Sequence, residues 1–135
     1  MLEYDFDPDA ESFGLEAAAK LGLPPERVFK TLVVALDGGH VLAVVPVAAR
    51  LDPKALGKRA RLVAPAEAER LTGYVKGGTS VFGGRRPLPV VLDESALAHE
   101  SIVLNGGRRG LQLELAPEDV LAVTGGRAQR LTSRA

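Results

Sequence analysis

VFKTLVVALDGGHVLAVVPV (28–47) is the stretch on which the fold turns. Two β-branched, apolar runs, Val28–Leu36 and His40–Val47, flank Asp37-Gly38-Gly39. That is hairpin chemistry, since glycine supplies the positive φ a tight turn demands. Both runs are apolar at nearly every position, which predicts a sheet covered on both faces. The exception is Lys30. A lysine is almost never fully buried unless its ammonium has a partner. By the two-residue strand period it shares a face with Val28, Leu32 and Val34. Two readings follow: that face lines a cavity and the ammonium points into it, or Lys30 lies near the strand end and reaches water along its stem.

Working outward, Ser12 to Leu21 (SFGLEAAAKL) predicts a helix, with Ser12 as N-cap and Gly22 as stop. Asp52-Pro53 opens a short helix, Asp52 capping and Pro53 in the first turn. Arg61–Val63 is expected as a short strand and Pro65–Leu71 as a helix ended by Gly73. Tyr74 to Pro89 (YVKGGTSVFGGRRPLP) has no period and reads as a long irregular loop, a type often functional in compact domains. Val90–Leu92, Ser101–Leu104 and Leu111–Leu115 are expected strands, the last two joined by Asn105-Gly106-Gly107. Pro117–Val123 is a last helix, with Glu118 and Asp119 where its dipole favours them and Gly125-Gly126 at its end. The order is not a regular βαβ succession. It predicts an α/β (α+β) domain with a mixed, mostly antiparallel, barrel-like sheet and short flanking helices.

The 135 residues suit one domain, 1–135, that buries roughly two-thirds of its unfolded surface. With no cysteine there is no disulfide, thiol nucleophile or thiolate metal site. No apolar run reaches the ~18–20 residues that span a bilayer, and the acidic start lacks a signal peptide's positive region. A cytoplasmic protein without membrane contact is the expectation. Net charge is zero but uneven: residues 1–49 carry −5, residues 50–86 carry +6 and residues 87–135 carry −1. The basic middle is either a patch for an anion or a solvated surface sampled unevenly.

Several chemistries are excluded by pattern. His40 and His99, the only histidines, show no metal-ligand spacing. There is no GxSxG elbow and no GxxxxGK[ST] loop. KGGTSVFGG (76–84) is the more informative segment. Its glycines let backbone approach a ligand and aim several N–H groups at one oxygen, and Thr79 and Ser80 add hydroxyls. A flexible surface loop is the competing reading. GGRRG (106–110) is turn chemistry whose arginines either meet phosphate or only solvent.

Taken together, EYDFDPDAESFGLEAA (3–18), ERVFKTLVV (26–34), LTGYVKGGTSVFGGRRPLPVVLDESAL (71–97) and IVLNGGRRGLQLELAPEDVLAVTG (102–125) resemble the YbaK/EbsC family. That family is similar to the editing domain of bacterial prolyl-tRNA synthetases. The resemblance implies a barrel-like mixed sheet and hydrolysis of the ester joining a wrong amino acid to tRNA, typically tRNA(Pro). Cysteine is the best-known amino acid removed; alanine, serine and threonine are others. Lys30 falls on the family's essential lysine and residues 77–81 on its glycine-led loop. The implied site is Lys30 as catalytic residue, with Tyr4, Thr31, Gly77, Gly78, Thr79, Ser80, Phe82, Asn105 and Gly106 around the substrate. Tyr74 or Phe82 either stacks a base or belongs to the core, and Arg85, Arg86, Arg108 and Arg109 are the candidates to meet tRNA phosphates. Implied partners are tRNA and prolyl-tRNA synthetase; no cofactor and no metal are expected.

The chain departs from the family pattern at named places. Val81 stands where the loop usually has proline, which would fix φ. Phe6 stands where histidine is common, and some cysteine-clearing relatives have serine at the position of Asn105 and aspartate near that of Gln112. Relatives often carry a further helix and strand before Tyr4, so either the fold is trimmed or the start was assigned late. The attacking group is left open between water, a ribose hydroxyl and the substrate's own thiol. Two rivals remain: a non-catalytic tRNA- or synthetase-binding module of the same fold, and a hydrolase for another ester or thioester.

Overall fold

The computed structural model describes residues 2–3, 13–72, 88–107 and 111–133. The 28–47 stretch forms the expected hairpin. Strands β2 (Phe29–Leu36) and β3 (Gly39–Pro46) pair antiparallel along their whole length, from Phe29 opposite Pro46 to Leu36 opposite Gly39. The turn is tight because Gly38 takes φ 84°, where an L side chain is strained.

Around this hairpin the chain adds a two-residue strand β1 (Leu2–Glu3), helix α1 (Phe13–Leu21), β4 (Arg61–Leu62), α2 (Pro65–Thr72), β5 (Val90–Asp93), β6 (Ile102–Asn105), β7 (Leu111–Leu115), α3 (Pro117–Thr124) and β8 (Arg127–Gln129). They form a five-stranded sheet of order β4-β2-β3-β5-β8 and a three-stranded sheet of order β1-β7-β6. The β3–β5 and β5–β8 pairings are parallel and the other four are antiparallel. The mixed, mostly antiparallel architecture is therefore present. Among the described residues it is divided between two sheets that do not close into a barrel. A parallel bridge between Val28 and Val103 connects them.

Both faces of the central hairpin are covered, and the strand period decides which side chain goes where. Phe29, Val33 and Ala35 join Leu42, Val44, Val90, Leu92, Ile102, Leu104 and Val120 in one core, which β6 and α3 close from above. Val34 joins Val41, Ala43, Val45, Leu51, Val91 and Leu131 in a second core on the other face, flanked by Leu32 and Leu36. Val28, just ahead of β2, packs instead with Ala18, Val47 and Val103 in a third cluster. Beside it Arg27 ties the sheets together. Its guanidinium donates to the Ser101 carbonyl (3.1 Å) and hydroxyl (3.0 Å) and pairs with Glu114 of β7.

The local predictions hold to within a residue or two at most ends. Asp52 accepts from the Lys54 N–H and caps a single 3-10 turn at Pro53–Ala55. Gly125 ends α3 at φ 67°. Leu111–Leu115 has its expected bounds. Strand β8 was not expected in the basic tail; it forms by lying parallel to β5. The expected N-cap Ser12 and the stop Gly73 lie outside the described residues.

Candidate active site

Lys30 is the second residue of β2 and stands opposite Val45. Its side chain lies on the Leu32–Val34 face and is half-buried. It lines an open cavity of about 440 Å³ with Leu32, Ala48, Ala49, Arg50, Leu51, Pro53 and Leu62. Burial, and then the positive charge of Arg50, hold the Lys30 amine below the ordinary lysine pKa. Both effects disfavour the charged form, and an anion in the cavity would reverse them.

The cavity arises where β3 stops. After Pro46 the chain turns, with the Ala49 N–H donating to the Pro46 carbonyl at 3.0 Å. This brings residues 48–51 back beside the start of β2. The returning segment is then pinned by the chain's end. Leu51 bridges Thr132, the Asp52 N–H donates to Leu131 (2.7 Å), and Ser133 N–H donates to the Arg50 carbonyl (3.2 Å). Leu131 is held in turn by the buried carboxylate of Asp93, which accepts its N–H at 2.7 Å.

Thr31 points to the opposite face from Lys30, as the strand period requires. It is not brought into the Lys30 cavity. Its hydroxyl oxygen is buried and has no hydrogen-bond partner among the described residues, an arrangement that normally costs about 1–3 kcal/mol. Asn105 ends β6 and is buried. Its side-chain oxygen accepts from the Gly107 N–H at 2.6 Å, so part of its role is to shape the turn into β7. It does not line the Lys30 cavity. Gly106 donates to Leu111, and a Cβ there would meet the Leu111 side chain at 2.9 Å.

Tyr4, Tyr74, Gly77, Gly78, Thr79, Ser80, Val81, Phe82, Arg85, Arg86, Arg108 and Arg109 lie outside the described residues, as does Phe6. Gln112 is buried in β7 opposite Asn105. His40 is half-buried, its Nε2 3.9 Å from Glu67. Among the described residues no cluster of His, Asp or Glu is arranged to hold a metal ion. Nor is any helix there long and apolar enough to cross a membrane. Arg50, Ala48 and Ala49 did not stand out in the sequence, because nothing local shows that residues after a strand end fold back over its partner.

The profile of the aminoacyl-tRNA editing domain matches residues 7–123. The chain belongs to that family. Membership carries the family's activity, hydrolysis of the ester between an amino acid and tRNA, and makes tRNA its partner. EbsC of Enterococcus faecalis is 36% identical over 98% of this chain and 85% of its own length. Its assigned name, a Cys-tRNA(Pro)/Cys-tRNA(Cys) deacylase, is provisional. The uncharacterized YwhH of Bacillus subtilis is 29% identical over 78% of this chain and 70% of its own. Among solved structures, a protein provisionally described as a trans-editing enzyme for prolyl tRNA synthetase superposes with a TM-score of 0.85 at 29% identity, covering 98% of this chain and 85% of its own.

Proposed function

We propose that this editing domain works in trans as a single unit in the cytoplasm and clears cysteine, or another small amino acid (alanine, serine or threonine), from tRNA(Pro). The observation that carries the reading is Lys30, a half-buried amine in a cavity that otherwise offers one arginine and apolar walls. Such a site is built for an anion. The acceptor end of tRNA supplies one in the phosphate next to its esterified ribose. EbsC, which aligns over 98% of this chain, has a name that specifies both Cys-tRNA(Pro) and Cys-tRNA(Cys), which supports the choice of cysteine and includes tRNA(Pro).

The need for such an enzyme is physical. A synthetase pocket shaped for proline rejects smaller amino acids weakly, because a methylene is worth only about 1–3 kcal/mol. Hydrolysis then removes the error. A nucleophile (water, a ribose hydroxyl or, for cysteine, the substrate's own thiol) bonds to the ester carbonyl carbon and gives up its proton, the bond to the esterified ribose oxygen breaks, and that oxygen takes up a proton. With water as the nucleophile, the products are free amino acid and uncharged tRNA. Lys30 holds the terminal phosphate and thereby fixes the ester. Backbone N–H groups of residues 77–80 are the assigned donors to the carbonyl oxygen; one such donor is typically worth about 10²–10³ in rate. Prolyl-tRNA synthetase is the proposed supplier of mischarged tRNA.

The test is a deacylation panel. tRNA(Pro) charged with cysteine, alanine, serine, threonine or proline is incubated with the wild type and with Lys30→Ala. Selective loss of one mischarged species, absent in the variant, is the expected outcome. A folded wild type that hydrolyses none of them would sink the reading and favour a tRNA-binding module.

A further inference from the structure

The segment from Arg50 to Arg61 holds five of the chain's cations and one acid, Asp52. That carboxylate is already committed: it caps the turn at Lys54 and lies 3.7 Å from Arg130. Arg61 faces Glu67 at 3.8 Å. Arg50, Lys54, Lys58 and Arg59 are exposed and have no ion pair among the described residues. Four cations within ten residues, none in an ion pair among the described residues, repel one another, and a solvated face gains nothing by concentrating them.

Their placement separates this strip from a merely solvated one. Its inner end, Arg50, enters the cavity that holds Lys30. Two side chains of like charge face one space of about 440 Å³, within the size range of small-ligand sites. The backbone of Arg50 is fixed by Ser133 and by the neighbouring Leu51–Thr132 bridge, while its guanidinium has no ion pair among the described residues. Arginine is also the side chain whose planar fork matches phosphate oxygens in pairs. Beyond it, the strip continues through Lys54 to Lys58 and Arg59, which line a second depression with Leu36, Asp37 and Leu56.

We propose that Lys30 and Arg50 together seat one phosphate of the tRNA acceptor strand, and that Lys54, Lys58 and Arg59 hold the phosphates that follow it. The inference rests on the tRNA reading above and deepens it. Arg50 is a positioning residue: it neutralises and orients the phosphate that Lys30 also meets. The strip then sets the path by which single-stranded RNA reaches the cavity.

Binding of an acceptor-stem hairpin RNA with an unpaired CCA end, followed by fluorescence anisotropy across roughly 50–200 mM salt, tests this. Compared are the wild type, Arg50→Ala, the triple variant Lys54→Ala/Lys58→Ala/Arg59→Ala, and Arg127→Ala, a charge-matched control on β8 whose guanidinium is engaged by Gln129 and which lies outside the strip. Arg50→Ala is expected to weaken binding and to make the slope of log K against log salt shallower by about 0.7–0.9. The triple variant should lose about two such increments or more, and Arg127→Ala none. In deacylation, Arg50→Ala should raise KM by a larger factor than it lowers kcat. Wild-type affinity and slope in Arg50→Ala would overturn the inference, as would a wild type with no salt-dependent RNA binding. A wild type that binds RNA, loses slope on Arg50→Ala and yet hydrolyses no aminoacyl-tRNA would leave the phosphate seat standing and remove the deacylase reading instead.

Discussion

Lys30 and Arg50 line one cavity although they lie on separate segments, the first on β2 and the second just past the end of β3. The β2–β3 ladder sets Lys30 opposite Val45, and the turn at Pro46–Ala49 returns Arg50 to the same side. The two charges tune each other. Arg50 helps to keep the Lys30 amine below the ordinary lysine pKa, second to burial itself.

A pH profile follows from that relationship. If Lys30 must be charged to hold the substrate phosphate, kcat/KM corrected for spontaneous hydrolysis falls on the alkaline side. Its midpoint should lie below the usual lysine value of about 10.4. Arg50→Ala removes one of the two causes of the lowering, so the midpoint moves up, toward the ordinary value. An unmoved midpoint would mean that another group governs the limb.

Stability should show the same lysine from the other side. The folded chain binds the Lys30 proton less tightly than the unfolded chain does. The penalty of a charged Lys30 is therefore fully present below the folded pKa and is relieved as pH rises through it toward about 10.4. Lys30→Met removes the penalty while keeping the side chain's bulk. The variant is expected to be more stable than wild type near neutral pH, with the gain fading at strongly alkaline pH, as measured by denaturant unfolding. Its deacylase activity should drop by about 10² or more, on the scale of a lost electrostatic contact. More stable and less active is the signature of a strained functional group; a less stable Met variant would contradict it.

The hairpin and Lys30 were legible because both are local signals: apolar runs around Asp-Gly-Gly, and one charge where none is expected. The helix ends at Asp52 and Gly125 were legible for the same reason, since capping is chemistry between near neighbours. Strand β8 was not. Arg-Ala-Gln has no β pattern of its own, and it becomes a strand only because Val91, Leu92 and Asp93 offer a free edge. Arg50 was hidden for a related reason. In sequence it is one more arginine in a basic stretch, and only the chain reversal after Pro46 distinguishes it. Thr31, assigned to the site through the family resemblance, faces the other way from its neighbour Lys30, as the strand period requires.

The glycine pair that leads from α3 into β8 offers a test of packing. Gly126 cannot take a side chain freely: a Cβ would lie 2.7 Å from the Val90 carbonyl oxygen. That oxygen belongs to β5 and cannot swing aside as a side chain would. Gly125 has open space but a φ of 67°. Gly126→Ala is expected to cost about 1–3 kcal/mol by overpacking, and Gly125→Ala about 1–2 kcal/mol by strain alone. Gly125→Asn should recover part of its loss, since asparagine tolerates that conformation. Thermal melting of the three variants decides the matter, and full recovery of Gly126→Ala to wild-type stability would refute the contact.

Asp93 carries the last prediction, because it does not line the cavity and yet holds the tail that bonds to Arg50 and Asp52. Its carboxylate is buried, with Oδ1 accepting from the Leu131 N–H and Oδ2 accepting from the Ser95 N–H (3.3 Å) and hydroxyl (2.5 Å). Leu131 opens the segment that pairs with Leu51 and Asp52 and reaches the Arg50 carbonyl through Ser133. Asp93→Ala would leave the Leu131 N–H buried without its acceptor, which costs about 1–3 kcal/mol. It also removes the cap of the 3-10 turn at Glu94–Ala98, worth about 1 kcal/mol. The loosened tail would let Arg50 drift from Lys30, so KM for aminoacyl-tRNA should rise although Asp93 touches no substrate. Asp93→Asn keeps an oxygen for Leu131 and should restore both stability and KM in large part. If Asp93→Ala lost stability with KM unchanged, the tail would be a brace for the sheet only, and the position of Arg50 would depend on the turn at Pro46–Ala49 alone.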